Sequence, residues 1–502
     1  MAFASVSGCA LIAVACVLPM LLSRIRAPLG ADEGYLWFGV QQLLRGRLPH
    51  RDFRSYEPGR YAWCGAFALV LGRDLVVLRV ATHVFFACAL CAALFVLQGM
   101  GVGWAGLCAA SIALTVLAHP QHKQFEHGWM LVAWACNTAW LLQPSLANLA
   151  MASGATGLAL FFGFNLFLYF GAALATTLVL GFASGRALLD LDAVRIAAIA
   201  GVVGMGPFLL LLASPGFARQ FLRRRVSGVV ARGEANLSLP LPWPWRAVPA
   251  QLRNLDPARQ QAFAWIFAAL FAVPVVAGLW AWFAPQAFDG MAAGVLAAAA
   301  LAPWVGHHAA SRADPPHLTQ AMGPLCLVAL LVAAAFAPMA MWLVAAFAAW
   351  LAWPLQHMAH QRRFPGDYTR IAAGRIDIDC PHAQARIFHA ASQLAEGAAR
   401  DALYVAPAYP ALYAHLSRDT PVYDTFPLYP ADAPAQREVI EAMERVAVRA
   451  ALISDAPIDG RDALRFSNTH PAVWAHLHAH FDASRRTDLG EDVYVFTRAV
   501  EA

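Results

Sequence analysis

Long apolar runs divided by polar breaks fill the first 355 residues, and after Trp353 the pattern changes to short apolar–polar alternation. A helix satisfies its own backbone hydrogen bonds and needs ~20 residues to cross ~30 Å of hydrocarbon, so each long run is a candidate span. Turn and charge signals predict spans near 8–24, 75–97, 103–118, 128–142, 148–162, 164–183, 194–213, 262–284, 290–306, 320–337 and 338–355, eleven in all. An apolar stretch at 61–71 is a candidate membrane-surface helix. The first run has no charge before Arg24, lacks the basic start of a cleaved signal, and is read as a retained helix. Beyond Trp353, strands are predicted at 375–379, 402–406, 450–454 and 492–497, with helices at 381–398, 433–448 and 471–481. The fold expected is an all-α polytopic membrane domain over 1–355, followed by a small soluble α/β domain over 356–502.

The polar connections are unequal. Residues 25–74, 119–127, 214–261 and 307–319 are polar and share one face of an eleven-span bundle, while the opposite loops are short. Long, motif-dense loops in a compact membrane fold mark a working face.

Composition supports this reading: 60% of residues are hydrophobic and 13% charged, outside the range of an ordinary water-soluble domain. The net charge is +5, and Lys123 is the only lysine among 36 basic residues. The arginines are interspersed with acids rather than arranged as a basic stripe with stacking aromatics, which argues against nucleic-acid binding. Nine cysteines at irregular spacing form neither a disulfide framework nor a zinc pattern. His470, His476, His478 and His480 crowd one C-terminal helix and its start, and are read as exposed polar positions rather than as metal ligands.

The working face carries the candidate chemistry. Asp32 and Glu33 follow the first span in Gly30-Ala31-Asp32-Glu33-Gly34-Tyr35. Gly46-Arg47-Leu48-Pro49-His50-Arg51-Asp52-Phe53 and Tyr56-Glu57-Pro58-Gly59-Arg60-Tyr61 come next. The second loop packs His119, His122, Lys123, Glu126 and His127 into nine residues, and a late loop holds His307, His308 and Ser311-Arg312-Ala313-Asp314-Pro315-Pro316-His317. Read without context, the acidic pair favours a helix N-terminus, the arginines face lipid headgroups, and Trp37, Trp243 and Trp245 line either a substrate path or an interfacial belt.

The opening segment resembles the bacterial polyprenyl-phosphate-sugar glycosyltransferases of the GT-C fold, whose relatives include protein O-mannosyltransferases and the aminoarabinose transferase that modifies lipid A. The resemblance extends to the acid in the second loop, the segment before a late helix and the C-terminal soluble domain. It implies that Asp32 is the catalytic base, that Glu33 orients the acceptor, and that Glu126 supplies a second acid. The donor phosphate would be held by Arg54, Arg60, Lys123, Arg312 and His317; the family's first-loop lysine is absent, so the assignment is shared.

The implied reaction moves a sugar from an undecaprenyl-phosphate type donor to a periplasmic glycolipid, polysaccharide or protein. It uses no cofactor and no metal, with membrane lipids as further partners and no nucleic acid. The implied location is the bacterial inner membrane with the working face and the C-terminal domain in the periplasm. Arginine counting opposes that orientation, because seven arginines lie from Arg24 to Arg60 and four more at Arg219, Arg223, Arg224 and Arg225. Charge bias is weaker in long loops, and arginine on that face suits a phosphate ligand. The rival readings are a transporter or flippase for a lipid-linked or anionic solute, and a non-catalytic assembly protein.

Overall fold

The computed structural model describes residues 2–184, 190–226, 236–288, 290–396, 399–400 and 402–498. Each of the eleven apolar stretches is helical: Ala2–Arg24, Leu75–Gly99, Trp104–Leu117, Gln124–Leu142, Leu146–Phe162, Phe164–Ala183, Leu191–Leu212, Pro257–Phe283, Ala292–Ser311, Gly323–Phe336 and Ala340–Ala352. Among the described residues five helices are long and apolar enough to cross a membrane, six if the pair Pro315–Ala321 and Gly323–Phe336, bent by 50°, is one span. The others are shorter or less apolar; at 1.5 Å per residue a 14-residue helix such as Trp104–Leu117 reaches about 21 Å, less than the hydrocarbon thickness.

The chain forms two compact units. The first takes in the chain up to Arg24, Arg79–Ala218 and Val226–His360; the second takes in Ile25–Leu78, Arg219–Arg225 and Gln361–Ala502.

The first unit is a helical bundle. Leu146–Phe162 and Leu191–Leu212 cross on small residues: a Cβ at Gly157 would lie 2.1 Å from the Gly201 carbonyl oxygen, so only glycine allows this approach. Trp134 donates from Nε1 to the Gly294 carbonyl at 3.0 Å inside the bundle. Arg24 ends the first helix with its charge buried, donating to the Ala118 carbonyl at 2.9 Å and twice to Gln356 Oε1 at 3.1 and 2.6 Å.

In the second unit the first polar loop packs with the C-terminal segment. Asp379 N donates to Arg26 O at 2.7 Å, Arg54 N to Tyr423 O at 2.9 Å and Leu75 N to Arg375 O at 3.1 Å. Two helices organise the loop, Ala31–Leu43 and Pro58–Leu71, the latter begun by proline at its first position. The stretch at 61–71 is the body of this second helix.

Among the described residues six strands follow: β1 (Tyr368–Ala373), β2 (Ile376–Pro381), β3 (Leu403–Ala406), β4 (Ala450–Ser454), β5 (Asp482–Arg485) and β6 (Val493–Thr497). β1 and β2 form a separate antiparallel hairpin, and the main sheet runs β3-β4-β6-β5 with only β3 and β4 parallel. Its helix-covered face buries Tyr404, Ile453, Phe466, Val473, Leu477 and Phe496. β1 and β5 were not expected. All four β5 residues are exposed, so burial imposes no apolar alternation on that edge.

Candidate active site

Asp32 lies in the first turn of Ala31–Leu43, after an extended Gly30, with its side chain half-buried. Tyr56, brought back by the turn before Pro58–Leu71, donates its hydroxyl to Asp32 Oδ1 at 2.5 Å. Tyr56 is itself fixed, because its backbone N–H donates to the Tyr61 hydroxyl at 2.7 Å and its ring meets Tyr35 edge-on at 5.0 Å. Burial first, and then the Asp32 charge, push the Tyr56 phenol well above its usual range, so it remains a donor. The Arg60 guanidinium sits 5.0 Å from the Tyr56 ring centroid. Glu33, Glu57 and Arg60 are each at most 3% exposed, while Asp32 and Tyr56 are half-buried.

Arg54 points elsewhere. It forms an ion pair with Asp424 and lies 5.7 Å from the Tyr429 ring centroid. Burial works against its charge, but the Asp424 carboxylate outweighs burial and raises the guanidinium pKa.

The first unit holds the remaining predicted residues and unites two loops far apart in sequence. Thr319 Oγ1 donates to the His119 carbonyl at 3.1 Å, and His127 Nε2 lies 3.1 Å from the same oxygen. Lys123 and Glu126 form an ion pair at 3.5 Å with both side chains largely buried. Asp314 gathers Arg312 and His317: Oδ2 accepts from Arg312 Nε at 2.7 Å, and Oδ1 lies 2.6 Å from His317 Nδ1 and accepts from its backbone N–H at 3.0 Å. Burial would raise the Asp314 pKa, but His317 and Arg312 outweigh it, so it is lowered. The His308 ring lies 5.2 Å from that of His317, and its Nε2 is 3.1 Å from Gln320 Oε1. Burial, and next the Arg24 charge, depress the His119 imidazole well below its usual range. Each of the two acids is paired with a cation, Glu126 with Lys123 and Asp314 with Arg312.

Two readings change. Trp37 is 1% exposed and donates from Nε1 to the Arg73 carbonyl at 3.1 Å, so it is a core residue and lines no path. His470 is not an exposed polar position: it is 4% exposed and stacked on Phe466 at 4.9 Å, and burial lowers its pKa to about 4. Trp243 and Trp245 stack at 5.1 Å with Trp245 exposed. Of the basic run 219–225, the side chains of Arg224 and Arg225 lie outside the described residues. Among the described residues no group of three or more His, Cys, Asp or Glu side chains is set to hold a metal ion.

From the sequence, Asp314 counts within its dense loop without a role, and neither Tyr56 nor Asp424 has one. Tyr56 and Asp314 stand inside the quoted motifs, where the residues flanking a charge were the available signal; Asp424 is 370 positions from Arg54 and carried none.

No family model matches the chain, and no curated protein matches it. Among solved structures, ArnT from Cupriavidus metallidurans bound to undecaprenyl phosphate matches over 98% of this chain and 98% of its own, with a TM-score of 0.55 and 14% identity. The apo state of the same protein matches over 97% of each chain, with a TM-score of 0.50 and 14% identity. This chain has the ArnT fold. The helical GT-C-like part and the C-terminal α/β part both fall within the region shared with ArnT, whose bound undecaprenyl phosphate belongs to that protein.

Proposed function

We propose that this protein is a membrane glycosyltransferase that uses a polyprenyl-phosphate sugar donor, of the undecaprenyl-phosphate type, and an acceptor on the periplasmic side of the bacterial inner membrane. The observation that carries the reading is the Asp32–Tyr56–Arg60 array at the opening motif, on a fold shared end to end with a protein captured with undecaprenyl phosphate.

In this reading an acceptor hydroxyl attacks the anomeric carbon, the carbon–oxygen bond to phosphate breaks, and polyprenyl phosphate leaves with the bonding pair. Asp32 takes the acceptor proton, held in place by Tyr56. Arg60 stabilises the charge that grows on the phosphate, while Glu33 orients the acceptor. Arg54, engaged by Asp424, is assigned to holding the loop rather than the phosphate. Direct displacement by one base inverts the anomeric centre.

The 50° break between Pro315–Ala321 and Gly323–Phe336 is the feature that favours the transporter reading, since broken helices bind substrates in transporters. The test is release of polyprenyl phosphate from a radiolabelled polyprenyl-phosphate sugar by purified protein in nanodiscs. Release with label on an acceptor supports the enzyme; movement of the intact donor across the bilayer supports the transporter and overturns it.

A further inference from the structure

The Asp32–Tyr56 contact is backed by a ring from far along the chain. Tyr35 stands one helical turn after Asp32 in Ala31–Leu43 and is 5% exposed, with its ring 5.0 Å from that of Tyr56 at an interplanar angle of 71°. The same Tyr35 ring lies 5.2 Å from that of Phe426, tilted by 32°. Phe426, Tyr35 and Tyr56 therefore form a chain of touching rings that ends in the hydroxyl on Asp32 Oδ1.

Phe426 belongs to a stretch pinned to the first polar loop. The Tyr423 hydroxyl donates to the His50 carbonyl at 2.8 Å, and Arg54 N donates to the Tyr423 carbonyl at 2.9 Å. Asp424 takes the Arg54 guanidinium on Oδ2, while its Oδ1 accepts from Phe426 N at 3.0 Å. One carboxylate thus fixes both the loop two residues before Tyr56 and the backbone that carries Phe426. The helix bearing Asp32 is seated on the C-terminal segment as well: a Cβ at Gly34 would lie 2.6 Å from the Ala411 Cβ, so this approach requires glycine. Such support matters most for a reacting group, because a misplacement of about 1 Å costs about 10²-fold in rate.

We propose that Phe426 is a positioning residue for the base: through Tyr35 it holds the Tyr56 phenol on Asp32, so the C-terminal segment takes part in transfer without supplying an acid or a base. The proposal rests on the glycosyltransferase reading for what Asp32 does, while the support of the carboxylate is measurable without any transfer. The charges and phenols that act on these rings are Asp32, Arg60 and Tyr61 at Tyr56, and Tyr61, Arg54, Asp424 and Tyr423 at Tyr35; Glu33 adjoins Asp32 in the chain. The test leaves all of them in place.

Phe426 is half-buried, so Phe426→Leu keeps apolar volume and removes the ring, and Phe426→Tyr keeps the ring. Phe466→Leu removes a ring from the helix-covered face of the main sheet and controls for loosening of the C-terminal segment. With the full chain in nanodiscs, carbodiimide coupling of an amine to Asp32, localised by tandem mass spectrometry across a pH series, reports the titration midpoint of that carboxyl. The midpoint is expected to rise by about 0.5–1 pH unit in Phe426→Leu, as for a carboxylate that loses a donor, and to stay in place in Phe426→Tyr and Phe466→Leu. Sugar transfer should fall about three- to tenfold in Phe426→Leu at unchanged donor affinity, with its acid limb moved by the same amount, and Phe426→Tyr should restore it. An unmoved midpoint in Phe426→Leu, an equal shift in Phe466→Leu, or undiminished transfer by Phe426→Leu overturns the proposal. A shifted midpoint in a protein that releases no polyprenyl phosphate keeps Phe426 as the support of the carboxylate, and it is then the glycosyltransferase reading that fails.

Discussion

The Tyr56 hydroxyl and Asp32 Oδ1 stand 2.5 Å apart, which joins the first and last parts of the opening motif across 24 residues. A lone aspartate in a helix's first turn is a common stabilising feature. One held by a phenol that is itself anchored at its backbone and ring, with a buried arginine on the phenol's face, has its carboxylate oriented in advance.

Tyr56→Phe should keep the fold and lower transfer by about tenfold, on the order of one lost hydrogen bond to a charged group. Losing a donor to the carboxylate makes Asp32 easier to protonate, so the acid limb of the rate profile should move to higher pH. A pH–rate series with purified protein checks both effects.

Arg54 and Asp424 predict a stability effect without a donor-binding effect. Arg54→Ala should cost about 1–3 kcal/mol, at the lower end because both side chains are roughly a third exposed. The double exchange Arg54→Asp with Asp424→Arg should recover part of it. Thermal unfolding in detergent measures the first quantity and donor titration the second; lost donor affinity at unchanged stability would return Arg54 to the phosphate site.

The helices were legible because span length and apolar runs are local properties, and all eleven predicted stretches are helical. The surrounding motif marks Asp32, Glu33 and Arg60 as candidates, and the structure places Asp32 and Arg60 against Tyr56. What joins them was not: the Arg54–Asp424 pair, the packing of residues 25–78 with the C-terminal segment, and the convergence of the His119 and His317 loops depend on tertiary contacts. His470 was misread because a histidine covered by the sheet's helices has the same local spacing as an exposed one.

Asp314 makes the late loop acid-sensitive. A carboxylate with a lowered folded pKa contributes stability above its unfolded value, here 3.8, and loses that contribution as pH falls through the lower folded pKa. Asp314→Ala should therefore be most destabilised near neutral pH and should approach the native protein below about pH 3.8, leaving about 0.5–2 kcal/mol for the lost cap on His317 N. Unfolding curves at several pH values check the convergence.

Orientation is testable with fusions. A phosphatase fused at the C-terminus should be active and a cytoplasmic fluorescent reporter there should stay dark, despite the arginines of the first loop. The reverse pattern removes the periplasmic acceptor and the proposed reaction with it.

Asp32→Asn is the most exposed prediction: it should abolish transfer while leaving membrane insertion and donor binding largely intact. The amide keeps the size and one acceptor oxygen for the Tyr56 hydroxyl, but it takes no proton from an acceptor hydroxyl. Losing general-base assistance costs on the order of 10²–10⁴ in rate. Arg60→Ala should behave differently, because a cation that meets the phosphate in both ground and transition states supports binding as well as turnover, and Arg60→Lys should restore part of each. Both variants keep Tyr56, so a loss confined to transfer separates base chemistry from collapse of the array. Purified variants scored separately for donor affinity and sugar transfer decide it: near-normal transfer by Asp32→Asn would end the assignment of the base and make Glu33 or Glu126 the next residue to substitute.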